Sequence, residues 1–188
     1  MRIKYNTLKA MATTAKKYRL SNSTSQYFYV ENLNDKSYLS ITNGQFMVTI
    51  ELITCGDLPN LESGQCIKVI DIIDFLATAK GSYKADTLVD IGQFACTHGA
   101  TKNLLRLYNS CALSYGRTID LHAIDSFSRF CLNIDYLVDI KHVYKTLFKN
   151  SNPVFVCTEQ HRGSDVLESP VVAREGLFSA LLMPAKIH

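Results

Sequence analysis

The feature that most limits how this chain can fold is a small unit that recurs along it, an amphipathic helical stretch set among short strand-like runs, three times in 188 residues. In the first copy the extended Arg2-Ile3-Lys4-Tyr5 leads into a helix expected from about Thr7 to Tyr18, because Leu8, Met11, Ala15 and Tyr18 recur at helical spacing. Lys9, Thr13, Lys16 and Lys17 fall on the opposite face of the same helix. A polar break at residues 21–25 follows. Three β-rich runs come next, Tyr27–Val30, Ser37–Thr42 and Phe46–Leu52, with Asn34-Asp35 and Asn43-Gly44 supplying the turns between them.

The second copy starts after the loop at residues 56–60. Cys66–Val69 reads as a strand, and Asp71 is the expected N-cap of a helix whose face carries Ile72, Ile73, Leu76 and Ala77 up to a stop at Lys80-Gly81. Strands are expected over Thr87–Ile91 and Thr118–Ile124, and residues 100–108 fit either a short helix or a hairpin tip. The third copy enters a helix over about Asp135–Phe148, with Tyr136, Leu137, Ile140, Val143, Tyr144, Leu147 and Phe148 as a broad apolar face. Lys141, Lys145 and Lys149 form a stripe beside that face. Asn152-Pro153 ends the helix, and strands over 154–158, 171–174 and 177–183 complete the unit. The expected fold class is therefore α+β: repeated β-α-β-β-β units with helices on one face of antiparallel sheets, two units in residues 1–128 and the third in 129–188.

Composition sets the outer bounds. Hydrophobic residues make up 47% and charged residues 20%, which is globular, and no apolar run reaches the ~18 residues needed to span a bilayer. Met1–Asn6 lacks the apolar core of a signal peptide. The six cysteines include no Cys-x-x-Cys pair, so buried thiols in a reducing, cytoplasmic setting explain them better than a disulfide frame. Net charge is only +3, but residues 1–30 hold six bases and no acid, whereas residues 31–94 hold nine acids against four bases. Charge segregated in this way suits a protein with one basic surface.

Motifs of the common catalytic classes are missing. Neither Gly-x-Gly-x-x-Gly nor a Walker lysine motif occurs. Cys96, His98, Cys111 and His122 lack metal-ligand spacing, so no metal is expected. Ser114, His122 and Asp125 have the residue types of a nucleophilic triad without a Gly-x-Ser-x-Gly elbow. Tyr27, Phe28 and Tyr29 could stack nucleobases, but strand alternation splits them between two faces, as a half-buried strand requires. Asn22-Ser23-Thr24 fits a glycosylation sequon, idle in a cytosolic chain.

Two ends of the chain carry a family resemblance. Leu181-Leu182-Met183-Pro184-Ala185-Lys186-Ile187 resembles the closing strand of the bacterial DNA polymerase III β-subunit, the DNA sliding clamp, and Asn133-Ile134-Asp135-Tyr136-Leu137 is similar to that family's entry into its final helix. Thr42-Asn43-Gly44-Gln45-Phe46-Met47 looks like the family's Thr-Asp-Gly-His-Arg-Leu turn, with Gln45 and Phe46 as departures. The resemblance is weak over residues 95–129, and family chains carry six units where three are legible here.

What the resemblance implies is a non-enzymatic protein without cofactor, whose helices face duplex DNA and whose groove receives a polymerase or clamp-loader peptide. The residues it singles out for the groove are Thr42, Gly44, Gln45, Phe46, Met47, Leu181, Met183 and Pro184. The lysine stripes, read from helical spacing, are the residues tied to DNA, namely Lys9, Lys16, Lys17, Lys141, Lys145 and Lys149, since lysine gives a hydrated point charge without base-edge specificity. An ordinary solvated helix face would carry the same stripes. Assembly into a homo-oligomer by edge-strand pairing is expected, with no membrane partner. Two other readings stand beside this one. One is a clamp-mimicking interaction module that does not bind DNA. The other is a small nucleic-acid enzyme using Asp71, Asp74, Asp135 and Asp139, residues that helix capping and solvation explain adequately.

Overall fold

Strand alternation decides the architecture, because successive side chains leave a strand on opposite faces and only one face can meet the helices. The computed structural model describes residues 1–20, 23–33, 35–53, 65–94, 96–98, 132–157 and 171–183. The chain runs through β1 (Arg2–Lys4), α1 (Tyr5–Tyr18), β2 (Tyr27–Leu33), β3 (Lys36–Thr42), β4 (Phe46–Glu51), β5 (Gln65–Lys68) and α2 (Val69–Thr78). It continues through β6 (Leu88–Asp90), β7 (Cys96–His98), α3 (Ile134–Tyr144), β8 (Val156–Cys157), β9 (Val171–Glu175) and β10 (Phe178–Leu182). The fold is α+β. Eight strands form one antiparallel sheet in the order β7-β5-β2-β3-β4-β10-β9-β8, while β1 and β6 pair separately.

Phe28 and Val30 of β2, Phe46, Val48 and Ile50 of β4, and Phe178, Ala180 and Leu182 of β10 point to one face and pack with Leu8 and Met11 of α1, Ile72 of α2 and Ile140, Val143 and Tyr144 of α3. All three helices described therefore cover the same side of the sheet. Tyr29, Met47, Cys66, Val172 and Leu181 point the other way and make a second, smaller cluster. The first and last parts of the chain meet in the middle of the sheet, where β4 and β10 pair with Phe46 opposite Leu182 and Ile50 opposite Phe178.

Most expected elements form, with shifted ends. Helix α1 begins at Tyr5, two residues before the expected Thr7, and its Leu8, Met11 and Ala15 are buried while Lys9, Thr13, Lys16 and Lys17 are exposed. The N-cap position of α2 is Lys68, not Asp71, because the extended backbone of β5 (ψ 134° at Lys68) turns directly into helix. Asp71 sits inside the first turn, where its charge suits the helix N-terminus. Ala77 is exposed and not on the packed face. Helix α3 stops at Tyr144, short of Phe148, and Asn133 caps its start by accepting a hydrogen bond from the Asp135 N–H at 2.9 Å. Of the strand expected over 154–158, the described residues form Val156–Cys157, with Val154 exposed outside it. Residues 100–108 and 118–124 and the expected unit boundary at 128–129 lie outside the described residues.

Candidate nucleic-acid interface and groove

Helices α1 and α3 lie beside one another on the sheet, and their contact is polar at its outer edge. Lys17 Nζ sits 3.0 Å from Asp139 Oδ2, and the Tyr18 hydroxyl donates to the same oxygen at 2.5 Å. Thr146 donates to Thr7 at 2.9 Å a little further along. The hydrogen bond to Asp139 raises the Lys17 pKa, so its charge is held but largely spent on that carboxylate. Tyr18 is pushed up to about 12, first by burial and then by its hydrogen bond to Asp139.

That shift gives a test. Below pH 10 the Tyr18 phenol holds its proton in folded and unfolded chains alike, and its contribution does not vary with pH. Between pH 10 and about 12 the unfolded chain releases the proton and the folded one keeps it, so stability falls as pH rises, by up to about 1.4 kcal/mol per pH unit. Tyr18→Phe is expected to flatten this part of the alkaline stability curve, measured as urea midpoints from pH 9 to 11.5. An unchanged slope would place the phenol in water.

The remaining lysines expected at the DNA face differ from Lys17. Lys9 and Lys16 stand exposed on α1, and Lys141 on α3, in no ion pair among the described residues. Lys145, half-buried, donates to the Lys149 carbonyl at 3.2 Å, and Lys149 is exposed just past the helix. Five of the six lysines thus enter no ion pair among the described residues, on or just past two adjacent helices, and the sixth is tied to Asp139. Sequence reasoning missed that tie, since 122 positions separate the partners and no local pattern joins them.

Of the expected groove residues, Thr42, Gly44, Gln45, Phe46 and Met183 come together around the β3–β4 turn. The Thr42 hydroxyl donates to the Phe46 carbonyl at 2.6 Å and accepts from the Gly44 N–H at 3.0 Å. The Asn43 side chain accepts from the N–H groups of Gln45 and Phe46, and Gly44 takes φ 91°, a conformation that favours glycine. The last strand leaves β10 alongside, where the Met183 N–H donates to the Gln45 carbonyl at 2.8 Å. From α3, the Tyr136 hydroxyl donates to Gln45 Oε1. Gly44, Gln45 and Met183 are exposed, Thr42 and Phe46 are buried, and Met47 and Leu181 are buried on the opposite face from Phe46. Tyr136, which the sequence reading placed on the apolar helix face, is therefore also a wall of this turn. Pro184 lies outside the described residues.

The acidic residues of the enzyme reading separate. Asp71 and Asp74 are on α2 and Asp135 and Asp139 on α3, and Asp139 is engaged by Lys17 and Tyr18. Among the described residues no three His, Cys, Asp or Glu side chains gather as a metal site would require. Cys111, Ser114, His122, Asp125 and Asn22 lie outside those residues, as do the side chains of Cys96 and His98. No helix described is long and apolar enough to cross a membrane.

No protein-family model and no curated protein matches this chain. Solved structures do. A DnaN sliding clamp from Bartonella birtlesii bound to griselimycin matches 99% of this chain at TM-score 0.54 and 12% identity, with 66% of its own length covered. The DNA polymerase III β subunit of Borrelia burgdorferi matches all of it at TM-score 0.52 and 10% identity, and that of Thermotoga maritima at 0.52 and 13%. Of those two chains 65% and 64% are covered, so this chain spans just under two thirds of the length of the clamps it matches. At 10–13% identity this likeness is one of structure: the three helices described and the antiparallel sheet have the fold of the DNA polymerase III β sliding clamps.

Proposed function

We propose that this protein is a DNA-associated processivity or docking factor of the sliding-clamp kind, acting without catalysis. One observation carries the reading: α1 and α3 lie side by side on one face of a clamp-like sheet, with Lys9 and Lys16 on α1, Lys141 on α3, and Lys145 and Lys149 at and just past the α3 C-terminus. A duplex sliding past needs diffuse positive charge and no base readout, which these residues supply. The turn at Thr42–Met47, walled by Tyr136 and Met183, is the proposed seat of a short apolar peptide from a polymerase or loader. Ring closure would require copies of this chain to pair through sheet edges.

The test is retention on circular against linearised duplex, with solution mass measured in parallel by light scattering. A defined oligomer held on circles and lost from linear ends fits a sliding ring; equal loss from both removes the topological part of the proposal. For the groove, Gln45→Ala with Met183→Ala is expected to weaken a bound polymerase-type peptide by about tenfold or more, read by fluorescence anisotropy. Unchanged binding would move the peptide site elsewhere.

A second reading has its own observation. Ile134 and Val138 lie one turn apart on α3 and are 72% and 58% exposed, beside Lys141. Aliphatic side chains there suit a protein partner better than phosphates, as in a clamp mimic that leaves DNA alone. Glutamate at Lys141, Lys145 and Lys149 would leave such a module's function intact.

A further inference from the structure

A cavity of about 560 Å³ opens where the end of α1, the turn before β2 and the β5–α2 junction meet, and none of the lysine or groove residues above lines it. Its wall includes Arg19, Leu20, Gln26, Tyr27, Lys68 and Ile70, with two cations and, among the described residues, no carboxylate. Leu20 is 88% exposed and Ile70 41%, so aliphatic surface stands in water at the edge of a cationic hollow. Tyr27 is half-buried against the second apolar cluster, and Gln26 is exposed.

These walls restrict the ligand. A bare inorganic anion would satisfy Arg19 and Lys68 but leave Leu20, Ile70 and Tyr27 wet. A purely apolar ligand would strip water from two cations and return no countercharge. An anionic end joined to a flat, partly apolar body answers both, and the volume lies within the usual 300–1,000 Å³ range of small-molecule sites. Arg19 favours a phosphate, which its fork can bind through two hydrogen bonds. Tyr27 and the Gln26 amide favour a planar ring with hydrogen-bonding edges over an acidic aliphatic peptide. The α2 start adds to the positive potential, since Lys68 provides no side-chain cap there; Asp71 is in that turn but not in the lining.

We infer that this cavity is a nucleoside 5′-phosphate site, with the phosphate held by Arg19 and Lys68 and the base set against Tyr27, Leu20 and Ile70. Free nucleotide and the 5′-phosphorylated end of a DNA strand share this chemistry. Lys16, one turn before Leu20 on α1, sets the cavity at the end of the lysine-bearing face, and only the strand-end source rests on the duplex reading above.

The experiment titrates the full chain with dAMP, deoxyadenosine and inorganic phosphate by calorimetry. Binding of dAMP about tenfold tighter than either component is expected. Arg19→Gln with Lys68→Gln should weaken dAMP by about tenfold, and Tyr27→Leu should weaken dAMP while leaving phosphate unaffected. Lys9→Gln with Lys16→Gln should leave dAMP binding as it was and weaken duplex binding, so the two readings can fail separately. Equal affinity for dAMP and phosphate, no dAMP binding, or indifference to the Arg19/Lys68 change would overturn the site. A duplex with a 5′-phosphorylated overhang, compared with its 5′-hydroxyl twin, then names the source: tighter binding of the former assigns it to strand ends, and equal binding with tight dAMP assigns it to free nucleotide.

Discussion

Replacing Lys9, Lys16, Lys141 and Lys149 together by glutamate is expected to reduce duplex affinity by at least about 100-fold at 50 mM salt. All four are exposed, and none has a carboxylate partner among the described residues. Each lysine that neutralises a phosphate releases a counterion on binding, so losing four contacts should lower the slope of log K against log salt by about four. Lys17→Gln makes the internal control. Its ammonium is already committed to Asp139, so its loss should change affinity only slightly, whereas Asp139→Asn should free that charge and tighten binding severalfold. Both affinity and salt slope can be read by anisotropy on one labelled duplex between 50 and 200 mM salt. Unchanged affinity in the quadruple variant would remove DNA from the proposal and leave the interaction module that Ile134 and Val138 favour.

How legible this was in the sequence depends on the range of the interaction concerned. Strands β2, β3 and β4 could be read because Phe28/Val30 and Phe46/Val48/Ile50 alternate locally and Asn43-Gly44 sets the turn between the last two. The exposed face of α1 was legible for the same reason, as helical spacing sorts Lys9, Lys16 and Lys17 from Leu8, Met11 and Ala15 without help from the rest of the chain. Boundaries were less so. Nothing in Lys68-Val69-Ile70 announces a helix entered directly from a strand with no polar cap, and Asp71 looked like the cap it is not. Contacts between distant segments were legible only where the resemblance set the Thr42–Met47 turn beside the end of the chain, as the pairing of β4 with β10 does. That Asp139 holds Lys17 and Tyr18, and that Arg19 shares a cavity with Lys68, depend on how distant segments dock. The groove motif was partly legible: its turn could be recognised, but strand alternation puts Phe46 and Met47 on opposite sides of the sheet.

Phe46→Ala is expected to destabilise the protein more than a change at any other position considered, costing about 3–5 kcal/mol in a urea unfolding experiment. The position is where this chain departs from the turn it otherwise resembles, and its surroundings account for the departure. The ring is buried and meets Tyr18 of α1 edge-on with centroids 5.4 Å apart, while Tyr136 of α3 lies 5.3 Å away, and Tyr18 and Tyr136 themselves meet at 5.5 Å. One residue of β4 therefore holds both lysine-bearing helices against the sheet, and each aromatic pair adds about 0.5–1.5 kcal/mol beyond the area it buries. Against a typical total stability of about 5–15 kcal/mol the loss is large. Phe46→Leu keeps most of the volume and should cost less than half as much, while Phe46→Arg, which restores the residue of the resembled motif, would bury a guanidinium at a position that forms no ion pair among the described residues and should be at least as damaging as alanine. Cavity formation at this point should also let water reach Tyr18, so in Phe46→Ala the Tyr18 phenol should titrate closer to its ordinary value than to about 12. A stability loss below about 1 kcal/mol, with Tyr18 unmoved, would mean that the helices are placed by the sheet alone and that the aromatic trio merely fills the space between them.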